Sequence, residues 1–124
     1  MSFKGRSLSK EDAMIGDKIL DALYDWTAGR GYCRNYRSYD DLAQDLDVSR
    51  EQLGWFFSDV LGVKFMSFRK KQRMAYAAWL LHADGTMPAA AAGQRAGIAD
   101  KSDFRRQFTE VFSLSPEQWR SASG

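Results

Sequence analysis

The chain has 124 residues, 44% of them apolar, a formal net charge of +2 and a single cysteine, Cys33. That apolar content excludes a disordered tail, and no apolar run approaches the roughly 18 residues that a membrane-spanning helix needs. No charged-then-apolar leader opens the sequence, and one cysteine cannot form an internal disulfide, so one or two small domains in a reducing, cytoplasmic setting are expected.

The punctuation predicts helices throughout, since no four-residue stretch alternates β-branched residues as a strand would. A first helix is predicted over 10–28, with Ile15, Ile19, Leu23 and Trp26 forming one buried stripe and Gly29 ending it. The segment from Arg30 to Arg37 lacks periodicity and reads as a loop. Ser38 then caps a short helix with Leu42, Ala43 and Leu46 inward, and Asp47-Val48 makes a tight turn. Ser49 caps the next helix, whose inner side carries Leu53, Phe57 and Val60 or Leu61. Two short helices joined by such a turn describe a helix-turn-helix. After Gly62 one long helix carries Phe65, Phe68, Ala77, Leu80 and Leu81, and Asp84-Gly85 breaks it.

The remainder repeats the first pair. "FFSDVLG" from Phe56 is echoed by "QFTEVFS" from Gln107, an offset of 107 − 56 = 51. Ala92-Gly93 stands where Leu42-Ala43 stood, Gly97-Ile98 replaces Asp47-Val48, and Ala99-Asp100 forms the cap region. After one inserted residue, Phe104 and Phe108 take the places of Leu53 and Phe57, and Phe68-Arg69 is answered by Trp119-Arg120. A duplicated helix-turn-helix explains the echo. The expected divisions are a leader over 1–37, a first pair over 38–62, a connecting helix over 63–85 and a second pair over 86–124.

Charge is uneven. Asp40, Asp41, Asp45, Asp47, Glu51 and Asp59 face only Arg50 in the first pair, whereas Lys64, Arg69, Lys70, Lys71 and Arg73 follow with no acid. With Leu53 and Phe57 inward, Arg50, Glu51, Gly54, Trp55 and Ser58 project outward; with Phe104 and Phe108 inward, so do Lys101, Ser102, Arg105 and Arg106. Arginines so placed can fork onto a guanine edge or grip phosphates. The exposed amides at Ser38, at Ser49 and near Ala99 favour an anion, and Lys70 and Lys71 are the bases on the long helix best placed for a phosphate backbone.

"LAQDLDVSREQLGWFFSDVLGVKF", "RMAYAAWLL" and "AGIADKSDFRRQFTEVFSLSPEQWR" resemble the C-terminal DNA-binding domain of AraC/XylS-type transcription regulators, over roughly Tyr39 to Arg120. The resemblance implies an all-α fold of two helix-turn-helix subdomains on a long connecting helix, preceded here by an extra N-terminal helix. It implies that two recognition helices enter successive major-groove segments of an operator, with base contacts from Glu51, Gly54, Trp55, Lys101, Ser102, Arg105 and Arg106, and phosphate contacts including Arg50. A connecting helix of about 17 residues spans about 26 Å, which with the radii of what it joins approaches the ~34 Å of one DNA turn. At the family's position for Arg73 an arginine is structural, pairing with carboxylates, and the same role is expected of Arg69 and Arg120. RNA polymerase is the implied protein partner, together with a sensory or oligomerisation domain that is not recognisable here. No cofactor or metal is implied.

Two departures stand out. "PAAAAG" puts alanines where the family has large aliphatics, so either that helix sits closer to its neighbours or Met87, Trp79 and Ile98 fill the space. Ser113 occupies the position where the family ends its second recognition helix with glycine. An enzyme is disfavoured: His82 is the only histidine, Cys33 has no histidine near it in sequence, and no HExxH, paired cysteines or glycine-rich phosphate loop occurs. The other rival is a helical protein-interaction module with a degenerate helix-turn-helix, for which the acidic first pair with Gly54 and Trp55 is the best argument.

Overall fold

The computed structural model describes residues 9–36 and 38–123. Among them the order is α1 (Lys10–Ala28), α2 (Tyr39–Asp45), α3 (Arg50–Trp55, continued by a π-helical turn over Phe56–Leu61), α4 (Phe65–Ala83), α5 (Ala89–Arg95), α6 (Lys101–Phe112) and α7 (Pro116–Ser123), with no strand. The all-helical expectation holds. The chain forms two compact units, one ending at Ser67 and the other starting at Phe68.

In the first unit, α1 opens on Ser9, whose hydroxyl accepts the Asp12 amide at 3.0 Å. Ile19, Leu23 and Trp26 are buried as the spacing predicts, and Ile15 is half-buried. The chain leaves α1 differently from expectation: Gly29 keeps an ordinary φ of −83°, and the left-handed residue is Arg30, at φ 57°. Glycine is needed one position later, because a Cβ on Gly31 would fall 2.2 Å from the Trp26 indole. Trp26 Nε1 donates to the Tyr36 hydroxyl at 2.8 Å, and that hydroxyl donates to Asp45 Oδ2 at 2.6 Å. Arg34 reaches the same oxygen at 2.8 Å, so the loop after α1 is tied to α2 by a polar chain.

The Ser38 hydroxyl caps α2 through the Asp41 amide. Asp47 turns the chain at φ 55°, and the Val48 amide returns to the Ala43 carbonyl at 3.0 Å. Ser49 and Gln52 then form a reciprocal capping box at the start of α3. Phe56 and Phe57 are both buried. A regular helix would set consecutive side chains about 100° apart, and the wider π winding turns both rings inward. It closes through the amides of Gly62 and Val63 onto the Phe57 carbonyl, with Gly62 left-handed at φ 66°.

The second unit repeats the plan. Gly97 turns the chain at φ 100°, and the Ile98 amide returns to the Gly93 carbonyl at 2.9 Å, the counterpart of Val48 to Ala43. Asp100 caps α6 through the Asp103 amide at 2.7 Å, and Ser113 ends it left-handed at φ 60°, where Gly62 ends the first copy. Met74, Ala77, Leu81, Ala92, Ala96, Phe104 and Phe108 form the centre of its core. The alanine run is accommodated by close approach: a Cβ on Gly93 would lie 2.6 Å from the Phe104 ring. Met87 and Ile98 are buried as expected, whereas Trp79 is not a filler, being 56% exposed and stacked on Tyr76 at 6.3 Å. The indole of Trp119 donates to the Ala78 carbonyl at 3.2 Å, and Arg120 donates to the carbonyls of Leu81 and Met87, which docks α7 on the end of α4. Arg73 is buried, in keeping with a structural role.

Candidate nucleic-acid interface

The inner side of α6 is fixed by Phe104 and Phe108, 1% and 0% exposed, so the 100° step per residue leaves Lys101, Ser102, Arg105 and Arg106 outward, and all four are exposed. The cap satisfies only the third of the unpaired amides that open a helix, and the amides of Lys101 and Ser102 precede it. The cap residue is Asp100 itself; Ala99 lies exposed outside the helix, so an anion at this end would meet Lys101 and Ser102 rather than Ala99.

Both arginines are engaged by carboxylates. Arg105 pairs with Glu117 at the start of α7. Arg106 pairs with Asp103 and, at 3.0 Å, with Glu110 on its own helix. Glu110 also accepts Lys70 Nζ at 2.9 Å. That ammonium and the Arg106 guanidinium hold the Glu110 carboxyl below the ordinary glutamate range, and the Arg105 hydrogen bond does the same for Glu117. Lys70 is therefore committed locally, whereas Lys71, one residue on, is exposed with no ion-pair partner among the described residues.

On α3, Arg50 and Glu51 are exposed on the first turn, and Ser58 is exposed on the π turn. Arg50 lies 3.6 Å from Asp40 and 6.0 Å from the Tyr39 ring centre. Gly54 is half-buried with open space where a Cβ would stand. Trp55 is also half-buried: its ring meets Phe56 edge-on at 6.3 Å and reaches to within 4.0 Å of a Cβ position on Gly16 of α1. Much of this indole is spent on packing α3 to α1. The capping hydroxyls of Ser38 and Ser49 are occupied by their own helices, and α2 opens with Asp40 and Asp41, which disfavour a phosphate at Ser38.

The pairs at Asp103, Arg106 and Glu110 follow helical spacing and were open to sequence reasoning, which missed them. Glu117 carried no local signal, because its partner is twelve residues away and meets it only once α7 has docked. Among the described residues no group of histidine, cysteine or acidic side chains could hold a metal ion. None of their helices is long and apolar enough to cross a membrane.

Residues 42–122 match a family described as a helix-turn-helix domain. The arabinose operon regulatory proteins of Salmonella typhimurium (strain LT2) and Escherichia coli (strain K12) are each 32% identical over 80 residues, covering 64% of this chain. That stretch is 28% and 27% of their respective lengths, so the chain spans little more than a quarter of these relatives. Among solved structures, the C-terminal domain of AraT, a response regulator from Geobacillus stearothermophilus, shares the fold with a TM-score of 0.73 at 24% identity, over 85% of this chain and 84% of that one.

Proposed function

We propose that this chain, which belongs to the AraC-type helix-turn-helix family of DNA-binding transcription regulators, reads an operator duplex by laying α3 and α6 in successive major-groove segments. The outer face of α6 carries the reading. Lys101, Ser102, Arg105 and Arg106 stand exposed on a helix held from behind by two buried rings, at the positions from which a recognition helix meets base edges.

Arg105 and Arg106 bring planar donor forks suited to guanine, and Lys101 and Ser102 meet the neighbouring base or phosphate. On α3, Glu51 accepts from a cytosine amine, Gly54 lets the backbone approach closely, and the free edge of Trp55 lies against a thymine methyl or sugar. Arg50, Lys71 and the amides opening α3 and α6 hold phosphates, with Lys70 joining when it leaves Glu110. The larger protein to which such a domain belongs would add a sensory or oligomerisation domain, engage RNA polymerase and work in the cytoplasm.

The test is duplex binding across a salt series, using a site selected from random DNA. A DNA reader loses affinity linearly in log salt with a slope near −0.9 per phosphate contacted, and a protein-interaction module does not. Replacing Arg105 and Arg106 together with alanine should cost about 1–3 kcal/mol per lost base contact while the melting temperature stays nearly unchanged. Unchanged binding would remove these arginines from the interface.

A further inference from the structure

We propose that Glu117 is a specificity-determining residue that acts through Arg105: its carboxylate holds one nitrogen of the guanidinium against capture by phosphates of a non-cognate duplex and leaves the remaining donors to a site with matched base acceptors. This rests on the DNA-binding reading above and names a residue which that reading leaves without a role.

Three observations carry it. First, Arg105 and Glu117 are paired although twelve residues apart, and both side chains are about half exposed, 50% and 55%, so the pair stands at the surface. Second, the position of Glu117 is built. Pro116 is fully buried, Ser115 and Gln118 cap α7 reciprocally at 2.9 and 3.1 Å, and Trp119 and Arg120 bind backbone carbonyls at the end of α4 and just beyond it. Third, this differs from what surrounds Arg106, whose partners lie three and four residues away on the same helix and would meet it in any helix of this sequence.

The discrimination follows from geometry. With one nitrogen of the fork on Glu117, a passing phosphate must displace a carboxylate of similar strength and gains little. A guanine is neutral and presents two acceptors, O6 and N7, which the Nε and Nη2 edge of the fork can meet while Nη1 stays on Glu117, so the pair need not be given up. The carboxylate also repels phosphates that approach within a Debye length, about 8–10 Å in ordinary salt. An exposed pair is weak, so Glu117 restrains Arg105 without locking it.

The experiment uses the full chain as wild type, Glu117→Gln, Arg105→Ala and the double variant. Each is titrated with a non-cognate duplex and with a duplex selected from random DNA by the wild type, across a salt series. Glu117→Gln should bind the non-cognate duplex about two- to fivefold tighter, the worth of one exposed pair. Its salt slope should steepen by about one contact. The selected duplex should gain less, so the ratio between the two falls, and Arg105→Ala in the same chain should abolish the gain. The proposal is overturned if Glu117→Gln changes neither affinity nor slope, if the gain survives without Arg105, or if only the melting temperature moves. Wild type that binds neither duplex at low salt removes the DNA reading as well; wild type that binds while Glu117→Gln matches it removes Glu117 alone.

Discussion

Gly93 sits so close to the Phe104 ring that even a methyl group has no room, and Phe104 is too deeply buried to yield. Gly93→Ala should therefore destabilise the protein by about 1–3 kcal/mol through overpacking, read as a lowered denaturant midpoint. Ser113 presents the opposite case. It holds the left-handed conformation in which an L-residue's Cβ crowds the next carbonyl, and its counterpart Gly62 does not bear that cost. Ser113→Gly should raise stability by about 0.5–1 kcal/mol, the strain relieved less the extra chain entropy of glycine. The sequence departure at Ser113 thus marked a strained position, and the alanine run marked a close approach. Trp79 could not be placed from sequence, because both faces of α4 carry apolar residues there and only packing decides which is covered.

The short helices were legible wherever a cap residue preceded an apolar period, as at Ser38 and Ser49. The π turn was not. Phe56 and Phe57 are adjacent, and the four-residue step from Leu53 selects Phe57 and passes over Phe56, whose burial accompanies the π winding. Trp55 shows the same limit, since its partner face on α1 is remote in sequence. Trp55→Ala should cost about 2 kcal/mol, roughly half the value for a fully buried indole, by loosening α3 from α1, which thermal melting will show. The ion pairs on α6 have a signature in acid. The depressed carboxyls of Glu110 and Glu117 give stability that is fully present above the ordinary glutamate range and is lost as pH falls through their lowered values. The melting temperature of Glu110→Gln should accordingly fall less than that of wild type between about pH 6 and pH 3.

Across the chain the repeat was the most legible feature, and its register survives in the backbone. The helix-opening residues Ser49 and Asp100 and the left-handed ends Gly62 and Ser113 are each 51 positions apart, whereas the turns at Asp47 and Gly97 are 50 apart. The inserted residue therefore lies between turn and cap. What the outward faces carry was also readable, because burial of the inner residues fixes them; the partners of those side chains were not, since tertiary docking chooses them. The two readers should contribute unequally: an Arg105→Ala, Arg106→Ala variant should lose more operator affinity, and flatten the salt slope more, than an Arg50→Ala, Glu51→Ala variant in the same titration.

The extra residue between Gly97 and Asp100 has a consequence for any site this protein recognises. Two copies that leave their turns at different lengths, one finishing in a π winding and the other in a regular helix, are no longer interchangeable. If both α3 and α6 read bases, as proposed, their target has an orientation. Reversing it end for end would present each probe with the other's bases, and such a protein would tell upstream from downstream without a second subunit to compare against.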